Sequence, residues 1–328
     1  MLARRSRLTL GSKVCAETPL LVPAFSSRCH RRSDLILRFA SGFITEALLI
    51  SAYDIANNHL GASPDLGFAR LVFLDSGGYE IAERSDFSDL KGSAKVPDSW
   101  DESSYARVLA HLRTGPGQPG LVAISYDRPG VSAAEQAAAA QALFGKRRGI
   151  MRELLLKPES RSQAYLHVDA ILERPDVLSG FDVIGVTEKE LGSSVLARMQ
   201  AIAKLRLGMD AAQIAAPIHV FGALDPLSAP LYCVAGAEIF DSLSWLRLAY
   251  LHGLPVYRQS YGILELGVGT HDSDVDARCW AANIGALYDL ELEMRAFCES
   301  GDFGSFSYHT TVLERAYRDL QHGLRRTA

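Results

Sequence analysis

Leu71-Val72-Phe73-Leu74-Asp75-Ser76-Gly77-Gly78-Tyr79-Glu80 is the stretch on which the fold reading turns. A short apolar run closed by turn residues reads as a buried parallel strand. The glycine pair lets the backbone bend sharply and approach a ligand closely. An acid and an aromatic ring then stand at the carboxyl end of a strand, where α/β proteins keep their sites. An ordinary strand-to-loop turn with an N-capping Asp has the same local look. What favours a site is that the pattern recurs.

Outward from this stretch, apolar runs appear at Leu20–Phe25, Ala47–Ala52, Leu121–Tyr126, Ala164–Val168, Val183–Val186, Ile218–Phe221 and Ala237–Phe240. Most end in a polar residue or Gly, among them Asp127, Asp169, Thr187, Gly222 and Asp241. Helical patterns lie between several of them. Ser132–Gly145 is Ala-rich with Ser132 as N-cap and Gly145 as C-terminal stop. Ser193–Leu207 places Leu196, Met199, Ile202 and Leu205 on one face, and Pro226–Ala235 is a third helix. About eight strands alternating with helices predict an α/β protein with a (β/α)8 barrel. The expected division is a basic N-terminal segment over 1–17, a barrel over 18–262, and a C-terminal linker with helices over 263–328 that pack on it. Arg84–Trp100 reads as a loop insertion, and Asn283–Leu320 as largely helical with a break at Gly301.

With 48% hydrophobic and 22% charged residues the composition is that of an ordinary globular protein. The net charge of −4 supplies no global reason to bind nucleic acid, so a basic patch must be local. Candidates are Arg4, Arg5, Arg7 and Lys13, then Arg28, Arg31 and Arg32, then Lys146-Arg147-Arg148. Five scattered cysteines without a Cys-x-x-Cys suggest a reduced, cytoplasmic protein. No apolar run reaches the ~18 residues of a membrane span, and no membrane partner is expected.

Asp75, Asp127 and Asp241 stand at the ends of three different runs. In a barrel those ends converge on one mouth, so the three carboxylates come within reach of one ligand. Two carboxyl groups in separate environments can divide nucleophile and acid/base work at a sugar anomeric carbon.

These residues resemble the tRNA-guanine transglycosylase family, (β/α)8 enzymes that exchange guanine in RNA for a 7-deazaguanine base. Asp75-Ser76-Gly77-Gly78-Tyr79-Glu80 is similar to the family's Asp-Ser-Gly-Gly-Phe/Tyr-Gln. Ser125-Tyr126-Asp127 is similar to the segment with a base-recognising Asp, and Phe181–Thr187 to Phe-Asp-Gly-Tyr-Ala-Val-Gly-Gly. Val220-Phe221-Gly222 resembles Leu-Met-Gly. Gly236–Arg247 aligns without gaps on Gly-x-Asp-Met-Phe-Asp-Cys-Val-x-Pro-Thr-Arg, and Thr18-Pro19 through Pro23 resembles the opening strand.

The resemblance implies that Asp241 is the nucleophile forming a covalent glycosyl-enzyme and that Asp75 is the general acid/base. It also implies that Asp127 binds the Watson–Crick edge of the base, that Tyr79 stacks on it, and that Gly222 lets a strand end approach it. Ser76, Gly77, Gly78, Thr187, Glu188 and Arg247 complete the implied substrate-binding set. The partners implied are DNA or tRNA and a 7-deazaguanine base, with a homo- or hetero-oligomer possible and no cofactor.

The departures are specific. The Gly-Gly-Leu loop is Thr187-Glu188-Lys189 here, the Gln-Gly after the fifth strand appears as Val168-Asp169, and Pro-Thr-Arg is Trp245-Leu246-Arg247. The family's zinc element is missing. His271, Asp272 and Asp274 have no Cys partner, so no metal site is assigned and the closing helix is expected to dock by apolar packing alone. The expected activity is base exchange in a nucleic acid, with DNA favoured over tRNA and with Arg247 and Lys146-Arg147-Arg148 as phosphate contacts. A non-catalytic nucleic-acid-binding partner subunit and a base-exchange enzyme for free nucleosides are the alternatives.

Overall fold

The computed structural model describes residues 1–30, 32–81, 99–115, 117–145 and 147–327. Eight parallel strands close into a barrel: β1 (Leu20–Phe25), β2 (Ala47–Ser51), β3 (Leu71–Asp75), β4 (Gly120–Ile124), β5 (Met151–Leu156), β6 (Val183–Thr187), β7 (Ile218–Phe221) and β8 (Ile239–Ser242). Strand β8 pairs with both β1 and β7, which completes the circle. This is the (β/α)8 barrel expected, with helices around it.

The strand count is right, but one member differs. Ala164–Val168 is not a strand: Tyr165 is exposed, and Val168 opens a short helix, Val168–Leu172. The fifth strand is β5, Met151-Arg-Glu-Leu-Leu-Leu156. Its Met, Arg, Glu and Leu are all good helix formers without a β-branched residue among them, so its propensity points away from the conformation that packing imposes. The residue at its carboxyl end is therefore Lys157, not Asp169.

Local capping explains where the helices start. Ser132 accepts the Glu135 N–H while Glu135 accepts the Ser132 N–H, a reciprocal capping box at the head of Ala133–Phe144. Ser194 caps Val195–Ala211, whose Met199, Ile202 and Leu205 are buried whereas Leu196 stays exposed. The loop read at Arg84–Trp100 lies outside the described residues as far as residue 98.

Residues 1–17, the basic N-terminal segment, include two strands. Arg7–Leu10 and Lys13–Glu17 form an antiparallel hairpin at the amino-terminal end of the barrel. Its Leu8, Cys15 and Ala16 are buried, and a Cβ on Gly120 would stand 2.8 Å from Cys15 Sγ. The arginines here are ion-paired: Arg4 with Asp210, Arg5 with Glu17 and Glu299, Arg7 with Glu17.

The C-terminal helices, Asp272–Ser300 and Thr310–Thr327, pack on the barrel through Ile284, Leu287, Leu290, Met294, Phe297, Leu313 and Leu320. Gly301 ends the first at φ +71°. Apolar packing is not their sole anchor. Asn283 is fully buried, accepts the Tyr250 N–H at 2.7 Å and donates to the carbonyls of Trp245 and Leu248, both at 2.7 Å. Glu291 accepts the Leu21 N–H at 2.8 Å, on the side of β1 that faces β2, where the pairing of the two strands begins only at Ala24. Among the described residues no helix is long and apolar enough to cross a membrane.

Candidate active site

The carboxyl ends of the strands form the mouth, and β3 ends in Asp75. The Gly77 N–H donates to Asp75 Oδ2 at 2.9 Å, an Asx-type turn that holds the carboxyl group over the strand end. Gly77 sits at φ +92°, and a Cβ there would lie 2.7 Å from Trp100 Nε1 and 2.8 Å from Tyr53 Cβ. A Cβ on Gly78 would lie 3.0 Å from Asp127 Oδ2. Packing against Tyr53, Trp100 and Asp127 therefore by itself leaves no room for a side chain at either glycine. Ser76 is buried, and its carbonyl accepts from Trp100 Nε1 at 2.9 Å.

Asp75, Asp127 and Asp241 share one electrostatic field. Burial, then the charge of Asp127, then that of Asp241 push the Asp75 carboxyl up to about 7, against the pull of the Gly77 N–H and Lys157. Near neutral pH this group can therefore both hold and release a proton. Lys157 Nζ lies 3.3 Å from Asp127 Oδ2, 3.0 Å from Thr187 Oγ1 and 3.4 Å from Glu190 Oε2. Burial works against the Lys157 charge, but Asp127 and Glu190 outweigh it and raise the ammonium above its ordinary value.

Asp241 lies on β8 and is 6% exposed. Its backbone carbonyl accepts the N–H groups of Gly222 at 3.0 Å and Ala223 at 2.9 Å. Gly222 reaches this position at φ +86°, and a Cβ there would meet nothing within 4 Å. The side chain faces His219, with Nε2 at 3.3 Å from Oδ1. The other ring nitrogen, Nδ1, is 2.8 Å from Glu153 Oε1. Burial opposes the charge on His219, yet Glu153 and Asp241 together push it up to about 9. Burial raises the Glu153 carboxyl, with His219 opposing.

The remaining expected site residues divide. Tyr79 is at the mouth, with Arg28 5.1 Å from its ring centroid and donating to its carbonyl at 2.5 Å. Arg247 Nη2 donates to the Tyr79 hydroxyl at 2.5 Å, so this side chain holds the aromatic ring in addition to any contact with a phosphate. Thr187 ends β6 and takes the Lys157 bond. Glu188 does not join the three acids: it pairs with Arg198 and accepts from the Tyr232 hydroxyl, both at 2.7 Å, on the surrounding helices. Arg147 and Arg148 precede β5 and stand at the opposite end of the barrel from the mouth, while Lys146 lies outside the described residues. Trp245, in the altered segment, is fully buried and donates to the Ala24 carbonyl at 2.9 Å.

Sequence reasoning passed over Lys157, Glu153 and His219. Glu153 lies on β5 and Lys157 directly follows it, the strand whose helix-forming residues hide it. His219 was legible only as a polar residue within Ile218–Phe221, an inward position of an apolar strand. Glu80 was read as part of the motif, but its environment was not. Ser26 Oγ donates to it at 2.6 Å, and burial followed by the charges of Asp54 and Asp75 pushes it up to about 8.

Among the described residues no group of three His, Cys, Asp or Glu side chains could hold a metal ion. Compared with known proteins, the chain matches no family model and no curated protein.

Proposed function

We propose that the chain is a transglycosylase-like enzyme that exchanges guanine in a nucleic acid for a 7-deazaguanine base. The observation that carries the reading is Asp75, a carboxyl held at about 7 by burial and by Asp127 and Asp241 beside it at one mouth. Two-step displacement at an anomeric carbon needs one carboxyl that carries a proton and another that attacks. In the first step Asp241 bonds to C1′ as the C1′–N bond breaks, and its electron pair leaves with guanine, which takes the proton of Asp75. In the second, the incoming base gives its ring N–H proton to Asp75, and its nitrogen displaces Asp241 from C1′.

Two further features support this assignment. A Glu80 carboxyl that keeps its proton to about 8 is neutral at pH 7, like the Gln that the resemblant motif has there. Lys157 steadies Asp127, the residue assigned to the base edge, at 3.3 Å. Both catalytic acids are retained, which favours an enzyme over a non-catalytic partner subunit.

The polymer we favour is DNA. The arginines of residues 1–17 are neutralised by Asp210, Glu17 and Glu299, and Arg147-Arg148 face away from the mouth. A large phosphate footprint of the kind that grips a folded RNA has little support in this charge distribution. The test is to offer labelled guanine or 7-deazaguanine with tRNA, duplex DNA and single-stranded DNA in parallel, and to look for a denaturant-resistant adduct. An adduct and label in DNA are expected. Label in tRNA alone overturns the DNA preference, and no adduct with any polymer overturns the covalent reading.

A further inference from the structure

We propose that Glu153 and His219 are a buried positioning pair that holds Oδ1 of Asp241 and turns its other carboxylate oxygen towards the barrel mouth. The inference rests on the reading of Asp241 as nucleophile and deepens it.

Glu153 is on β5 and His219 on β7, two strands separated by β6, so their contact crosses the barrel interior. Room for it comes from Gly185 on β6: a Cβ there would be 2.7 Å from Glu153 Oε1 and 2.8 Å from Phe221 Cε2. The imidazole cannot swing. Phe221 stacks on it with centroids 4.0 Å apart at 27°, and Phe73 meets it edge-on at 5.3 Å and 66°. Nδ1 is thereby held in a hydrogen bond to Glu153, while Nε2 is kept 3.3 Å from Asp241 Oδ1 as an ion-pair contact without hydrogen-bond geometry. A ring that faces a carboxylate on each side carries a proton on each nitrogen, consistent with its being pushed up to about 9.

Barrel interiors are filled by branched apolar side chains. A fully buried Glu–His pair is a poor way to stabilise such a layer, since desolvation offsets most of the attraction. Asp241, which His219 meets, lies next to the carboxyl end of β8. Asp241 Oδ1 is buried beside His219, so attack falls to Oδ2. Once Asp241 is esterified its charge is gone, and His219 remains neutralised by Glu153, so no proton need leave the interior. The same Nε2–H then faces the ester oxygen and favours departure of the carboxylate in the second step.

The groups that face His219 are Glu153 from β5 and Asp241 from β8, with Asp75 of β3 beyond Asp241. Phe73, Gly185 and Phe221 supply the apolar remainder. The experiment has two arms on the full chain. In the first, nitrogen-15 NMR of His219 should show both nitrogens protonated at pH 7, and Glu153→Gln or Asp241→Asn should move the titration down towards the ordinary value of about 6.5. This arm needs no turnover. In the second, His219→Phe should slow adduct formation by about 100-fold with KM for the polymer unchanged, because misplacing the attacking oxygen costs rate and not binding. If that variant fails to fold, Glu153→Leu with His219→Phe removes both polar partners at once and takes its place.

A neutral His219 at pH 7, or a folded variant that reacts at the parental rate, overturns the positioning pair and leaves the transglycosylase reading standing. A parent that forms no adduct while His219 responds to Asp241→Asn has the reverse meaning: the pair holds Asp241, and the assigned reaction is wrong.

Discussion

The two ends of the barrel treat charge in opposite ways. At the amino-terminal end, ions come in pairs of opposite sign. Arg206 is fully buried, yet its guanidinium meets Asp210 at 2.8 Å, Glu238 at 3.7 Å and the carbonyls of Ile214 and Ala216. Arg4 adds a second partner for Asp210, and Ser6 and Thr18 donate to Glu238. At the carboxyl-terminal end, like charges are gathered. Asp75, Asp127 and Asp241 lie close enough for two of them to disturb the third, with Lys157 and His219 as the counter-ions. The first arrangement holds chain segments together. The second costs stability and keeps a proton on a carboxyl group near neutrality, which is what chemistry needs and structure does not.

Breaking the mouth should therefore abolish activity without unfolding, and breaking the base should do the reverse. The largest effect expected is that of Asp241→Asn, which keeps the shape but cannot attack C1′. Exchange should fall by on the order of 10⁴-fold or more, with no adduct on a denaturing gel. Substantial residual exchange would contradict the assignment of Asp241 as nucleophile.

Asp75→Asn removes the proton carrier and should slow turnover by roughly 10²–10⁴-fold. The parent's pH–rate profile should bend near 7, where Asp75 loses its proton, and the variant should lack that bend. A profile with the bend intact assigns the proton transfer to another group.

At the opposite end, Arg206→Met leaves Glu238 buried without its cation and should cost about 3–5 kcal/mol of stability. Denaturant midpoints measure this. The fraction still folded should exchange bases at the parental rate, and a loss of rate there would erase the contrast between the two ends.

Asp127→Ala should weaken binding of the free base by about 1–3 kcal/mol, since it leaves a purine edge unpaired. Calorimetry with guanine reads this directly, and unchanged affinity would remove Asp127 from recognition.

The smallest effect is on stability against pH. Glu80 and Glu291 are each pushed up to about 8 by burial, whereas their ordinary value is 4.5. Between those values the folded chain holds protons that the unfolded chain has released, so stability is full at the acid end of the window and falls as pH rises through it. His219, pushed up to about 9 from 6.5, extends the decline in the same direction. Thermal midpoints from pH 5 to 9 should fall, and Glu291→Gln should flatten the slope. A rising midpoint would mean that these groups are ionised in the folded chain.

Much of the fold was legible because a parallel strand writes itself locally, as an apolar run with a turn after it. Seven of the eight barrel strands were read this way, as were the Ser132 cap and the stop at Gly301. The acids Asp75, Asp127 and Asp241 were legible for the same reason, since each follows such a run. What stayed hidden depends on contacts between distant segments. Strand β5 is built from helix-forming residues and is a strand because its neighbours β4 and β6 pair with it. Lys157 follows from that strand, and so does Glu153. The Glu153–His219–Asp241 line joins residues far apart in the chain, and nothing in the local pattern of any one of them announces the other two. Local sequence determined which residues stand at strand ends. Closure of the barrel decided which of them holds its proton more tightly, because burial and neighbouring charge exist only once the strands meet.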